Sequence, residues 1–130
     1  MLALTIRSDN PQAEIAIYQD AERIAEHIWQ ADRHLAETLH AEITHLLDAR
    51  EIALNDVDSI IVYEGPGSFT GLRIGIAVAN GLAYSLAIPI VGVGGDSWEQ
   101  TGLNRLENGE NDQQVVPFYG ADPNITIQKK

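Results

Sequence analysis

With 130 residues, 45% of them hydrophobic and none of them cysteine, the chain has room for one core. It has no means to build a disulfide scaffold, a thiolate metal site or a cysteine nucleophile. Acids outnumber bases 19 to 8, for a net charge of −11, and 13 of the acids fall in residues 1–65 against 4 bases. That balance excludes a strong grip on a nucleic-acid backbone by this chain alone and reads mostly as a solvated helix face.

Residues 2–7 are short and apolar, as a buried strand is, and become charged too soon for a signal peptide, so the cytoplasm is the expected compartment. After the turn signal Asp9-Asn-Pro-Gln12, Ala13–Tyr18 alternates in part and predicts a second strand, and Arg23–Gln30 fits a third less cleanly. From Leu35 to Leu47 the positions Leu35, Leu39, Ile43, Leu46 and Leu47 recur at helical spacing, with Glu37, Glu42 and Asp48 elsewhere on the circumference. Ser59–Tyr63 is the clearest strand. A loop, Gly65-Pro-Gly-Ser-Phe-Thr-Gly71, runs from it into a second helix at Thr70–Leu86, followed by a strand at Ile88–Val93. A third helix is expected after a cap at Asp96 or Ser97, with Trp98, Leu103 and Leu106 as its apolar contacts. From Ile74 to Val93 no residue is charged, a length that in principle spans a bilayer. Pro89, the central Asn80 and the strand pattern argue instead for a buried helix and a buried strand, so no membrane contact is expected. Residues 1–107 read as one α/β lobe of order β-β-β-α-β-α-β-α, and residues 108–130 as a polar connection and tail.

The loop of Gly65, Pro66, Gly67, Ser68, Phe69, Thr70 and Gly71 joins a strand to a helix N-terminus, where free N–H groups and the helix dipole favour an anion. It is not a Walker A loop, since Leu72-Arg73 stands where Lys-Ser/Thr is required, and the dinucleotide spacing is absent. The alternative is a tight turn in which glycine permits close packing. Ser68 and Thr70 suit capping; no nucleophile elbow surrounds Ser68, and no catalytic residue is assigned. In the second helix Gly71, Gly75, Ala79 and Ala83 form a ridge of small side chains, with Leu72, Ile74, Ile76, Val78, Leu82 and Leu86 around it. A helix apolar on nearly all sides needs a second cover, so part of it is expected to be exposed in the lone chain and to bind a partner.

The run Gly65–Gly75, preceded by Ile60-Ile-Val62 and followed by Ala79-Asn-Gly-Leu-Ala83 and Ile88–Val93, resembles the TsaB (YeaZ) family. The likeness runs more weakly over residues 1–100, and Pro117–Gly120 with Pro123–Thr126 is similar to the C-terminus of some members. The resemblance implies a ribonuclease-H-like, actin-like ATPase (ASKHA) lobe. It further implies a non-catalytic subunit in synthesis of threonylcarbamoyladenosine at position 37 of tRNA, with the transferase TsaD and the ATPase TsaE as partners and tRNA met only through the complex. Helices of this lobe form both homodimers and the TsaD contact in that family, so a homodimer is expected when the chain is alone. The implied contact residues are Leu72, Arg73, Gly75, Ile76, Ala79, Leu82 and Ala83, with Leu39 and Ile43 of the first helix.

Two departures stand out. Where members carry Asp-Thr-Ser, this chain has Arg7-Ser8-Asp9, which reverses the charge at a metal-holding position. The second lobe of typical members is replaced by Glu107–Gln114. No cofactor is therefore expected to bind independently, and ATP with magnesium only at a subunit junction. The histidines at 27, 34, 40 and 45 lack i, i+4 pairing, so solvent-facing roles and no metal are expected. Trp29 and Trp98 read as packing residues, and Arg73 as a partner contact. Two other readings stay open: a small nucleotide-binding or kinase-like enzyme using Gly65–Gly71, and a homodimeric structural protein.

Overall fold

Three apolar runs at the start of the chain fold as a meander, β1 (Leu2–Arg7), β2 (Gln12–Gln19) and β3 (Glu22–Gln30), with antiparallel pairing throughout. The computed structural model describes residues 1–67 and 69–118, apart from the Phe69 side chain. A 3-10 turn at Asp32–His34 leads into α1 (Leu35–Ala49), after which β4 (Ser59–Tyr63) joins β1 in parallel. The next crossover, α2 (Phe69–Leu86), places β5 (Ile90–Val93) parallel to β4, and α3 (Trp98–Glu107) follows. The sheet order is β3-β2-β1-β4-β5. This is the β-β-β-α-β-α-β-α order read from the sequence, in keeping with the ribonuclease-H-like lobe that the resemblance implies.

Strand register divides the side chains between two faces. Leu4, Ile6, Ile15, Ile17, Ile60 and Val62 share one face and are at most 1% exposed. Helices α1 and α2 cover it: a Cβ at Gly75 would lie 3.6 Å from Ile6. Each such aliphatic side chain contributes about 1.5–3 kcal/mol relative to leaving it in water. The other face holds Thr5, Ala16, Ile61 and Tyr63 and meets α3, where Gly102 sits so close to Ile61 that a methyl group would collide with it. Edge strand β3 leaves Ile28 45% exposed, which is why its apolar pattern is the least regular.

Differences from the expected elements have local causes. Strand β5 begins at Ile90 rather than Ile88, because Ile88 closes the end of α2 by donating to the Ala83 carbonyl, and Pro89 has no N–H to give a ladder. Ser97 does precede α3 but makes no side-chain cap hydrogen bond. Ser68 and the tail Pro123–Thr126 lie outside the described residues. The expected boundary at residue 107 cuts through a connected structure, since Asn111–Phe118 is fastened to the lobe. Asn111 and Asp112 accept from the N–H groups of Ile90 and Gly92, and the Asp112 N–H donates to the Ile90 carbonyl. The Asn80 side chain exchanges two 2.9 Å hydrogen bonds with the backbone of Val115, whose side chain is buried. Among the described residues no helix is long and apolar enough to cross a membrane.

Candidate functional site: the glycine-rich loop and the outer face of the second helix

The parallel strands β1, β4 and β5 end together, the usual position of a site in an open α/β sheet. Here that position is filled from within. Arg7 donates to Asp9 at 2.8 Å, and its guanidinium lies 4.0 Å from the centre of the Tyr63 ring, against which Trp98 packs edge-on at 5.7 Å. The Asp9 hydrogen bond, opposed by burial, raises the Arg7 pKa. The loop is held equally closely. Gly65 adopts a φ of 122° before a cis bond to Pro66, and the Phe118 N–H donates to the Glu64 carbonyl at 2.7 Å. A Cβ at Gly67 would collide with Asp9, and one at Gly65 with the Phe118 carbonyl. Ser8 donates to the Gly71 carbonyl at 2.8 Å, and the Tyr63 hydroxyl to Pro66 at 3.2 Å. Glycine here serves close packing of backbone on backbone. Asp9, which follows β1 and lies against Gly67, is already paired with Arg7. Among the described residues no three His, Asp or Glu side chains form a group able to hold a metal ion.

Helix α2 has two distinct sides. Leu72 and Ala79 are fully buried, and Gly75, Ile76, Leu82 and Ala83 lie with them against the sheet. A Cβ at Gly75 would overlap the Ser8 hydroxyl, so the small ridge exists to let α2 approach β1. The expectation that this ridge is the partner surface is therefore corrected. Its side chains, with Leu39 and Ile43 of α1, are spent on the chain's own core. Of the implied contact residues only Arg73 is exposed. The outward side is formed by Thr70, Arg73, Ala77, Gly81 and Tyr84, flanked by half-buried Ile74 and Val78. Tyr84 is 90% exposed, and nothing lies within 4 Å of a Cβ built at Gly81. Three hollows run along this side: 460 Å³ beside Thr70, Gly71 and Ile74, then 330 Å³ beside Arg73 and Ala77, then 380 Å³ between His40, Val78 and Gly81. Ala77, Gly81 and Tyr84 were legible in principle: at 100° per residue they stand opposite Leu72 and Ala79.

Polar seams fix the surroundings. On α1, Thr38 accepts from the Trp29 indole at 3.1 Å, and Glu42 pairs with His27 at 3.0 Å. Arg50 donates to the Ile24 carbonyl. His27 is thus a half-buried strand residue stacked on Trp29, not a free surface imidazole, whereas His34, His40 and His45 are exposed. At the other edge, burial and then the nearby Asp112 raise the Glu64 pKa, with Arg105 opposing. Burial would raise Asp112 too, but hydrogen bonds from Arg105 and the Gly92 N–H hold it below the usual carboxylate value.

Residues 28–95 match the family model described as TsaD, tRNA N6-adenosine threonylcarbamoyltransferase. The chain is 37% identical over 93 residues to the tRNA threonylcarbamoyladenosine biosynthesis protein TsaB of Bacillus subtilis, covering 72% of this chain and 41% of that protein. It is 28% identical over 112 residues to the Escherichia coli protein of the same name, covering 82% and 48%. Among solved structures, YeaZ from Pseudomonas aeruginosa superposes with a TM-score of 0.67 at 32% identity, over 72% of this chain and 43% of that one. The chain thus spans less than half the length of each of these relatives.

Proposed function

Since this chain belongs to the TsaB (YeaZ) family, we propose that it is a non-catalytic subunit in threonylcarbamoyladenosine synthesis on tRNA. It docks on the TsaD-type transferase and, through it, supports TsaE. The observation that carries this reading is the outer side of α2, an apolar and small-residue surface that the chain's own elements leave open. Its place in a family of biosynthesis proteins supplies the pathway. Helix α1 contributes the wall of the same groove through His40, while its buried Leu39 and Ile43 hold it in place.

A subunit role fits the loop. The strand-end crevice is occupied by the Arg7–Asp9 pair and by Tyr63, which supports the absence of independent nucleotide chemistry. A nucleotide, where one takes part, is taken up at a junction with a partner, and tRNA is met through the complex, in keeping with the acidic charge of this chain. Cytoplasmic residence follows from that role. The test is reconstitution: the purified chain is added to the transferase and ATPase subunits, and threonylcarbamoyl transfer to tRNA is measured. Transfer that depends on the chain supports the reading; equal transfer without it overturns the reading. Magnesium-dependent binding of ATP by the chain alone at micromolar affinity would favour the enzyme alternative instead.

A further inference from the structure

Resting on the docking face above, we propose that residues 119–130 fold back over the 460 Å³ hollow at the start of α2, place Ile125 and Ile127 in it, and are displaced when a partner docks. The hollow is walled by Pro11, Ala31, Leu35 and Ile74, with Asp32 and Thr70 exposed beside them. No described segment fills it. An apolar recess of this kind draws in apolar side chains that can reach it. Residues 119–130 are tethered close by.

The point of departure sets the reach. Phe118 is fixed at the end of β4, where its N–H donates to the Glu64 carbonyl at 2.7 Å and its own carbonyl lies against Gly65. The loop 65–71 leads from there to Gly71 at the hollow, and Gly67 lies against Asp9, the neighbour of hollow-lining Asn10. The turn that holds Asn10 follows β1, the neighbour of β4, so two to three strand spacings, roughly 10–15 Å, separate it from Phe118. Seven steps from Phe118 to Ile125 cover up to about 23 Å. Pattern and charge agree with that destination. Ile125 and Ile127 alternate with Thr126 and Gln128, so an extended chain turns both to one side. Residues 1–118 carry 18 acids and 6 bases, whereas residues 119–130 carry one acid with Lys129 and Lys130, the only lysines of the chain. Opposite charge therefore draws the segment to its own lobe. The tether gives it an effective concentration in the millimolar range, so modest contacts close the hollow and a tighter partner opens it.

The chain has no cysteine, so a single probe can be placed in the full-length protein. Gln128→Cys carries a nitroxide, and amide signals are compared with the label oxidised and reduced. Signals of Asn10, of residues 31–35 and of residues 70–74 should lose intensity in the oxidised sample. Those of Asp20 and Asn55, at the opposite end of the sheet, should not. The double variant Ile125→Asp with Ile127→Asp should restore the lost intensity and bind the transferase about 3- to 10-fold more tightly than wild type. Intensity lost evenly over the lobe, or lost equally in the double variant, would overturn the cover. Loss that arises only when labelled chain is mixed with unlabelled, isotope-enriched chain would give the hollow to a second copy and overturn it too. Equal transferase affinity of the double variant and wild type would overturn the displacement. Docking is read separately: if Ala77→Glu binds the transferase as wild type does, the docking face falls, and the intensity pattern still decides the cover.

Discussion

The two sides of α2 are made of nearly the same residues and do different work. The side toward the sheet carries Gly75, Ala79 and Ala83, and the side toward solvent carries Ala77 and Gly81. Smallness at Gly75 on the inner side is a packing requirement, because Ser8 and, on β1, Ile6 occupy the space that a larger side chain would need. On the outer side nothing occupies that space. The lesson is that a stripe of small residues shows where another surface can come close, and only the placed backbone tells whether that surface belongs to the same chain.

The contrast is broken most severely by a charge on the inner side. Gly75→Glu places a carboxylate against Ser8 and Ile6 with no partner, at a cost of at least about 4 kcal/mol. The variant should lack a cooperative thermal transition by circular dichroism; a native-like melt would show that α2 does not lie on β1 as described. A smaller effect is expected where α2 holds the segment that follows α3. Asn80→Ala removes both hydrogen bonds to Val115 and should cost about 1–2 kcal/mol, read as a lower Tm and faster proteolysis between Asp112 and Phe118. Unchanged cleavage would mean that Asn80 does not anchor that segment.

Among the described residues, sequence patterning located the five strands and three α-helices, because β1, β4 and β5 are continuous apolar runs and α1 has a clean stripe. The edges were less legible: β5 starts late because Ile88 is taken by the C-terminal closure of α2. Residues 111–118 carry no periodic signal at all, since single side chains of Asn80, Asn111 and Asp112 attach them. The outward side of α2 escaped for a different reason. Helical spacing gave α2 a ridge of small residues ringed by larger apolar side chains, and did not single out Ala77, Gly81 and Tyr84. Leu72 and Ile76 resolve this in the structure, being buried together with the ridge. The loop, with its anion-site pattern, gave no hint of the Phe118 and Asp9 contacts that close it.

The smallest expected effect concerns pH. Glu64 has a raised pKa in the folded state, so its protonated form favours folding and stability falls as pH rises through that value. Glu64→Gln should therefore raise Tm at neutral pH, with the gain vanishing at acidic pH. Asp112 runs the other way, stabilising above the ordinary carboxylate range and losing that contribution as pH falls through its lowered value. A Glu64→Gln melt that matches wild type at every pH would contradict the assigned burial.

The outward side of α2 is tested most directly by calorimetric titration of the transferase subunit with wild type and with Ala77→Glu. An interfacial carboxylate left unpaired costs about 2–5 kcal/mol, so affinity should fall roughly 30-fold or more while the thermal melt of the free chain stays within a few degrees of wild type. Equal affinity for the two proteins, with both folded, would contradict it.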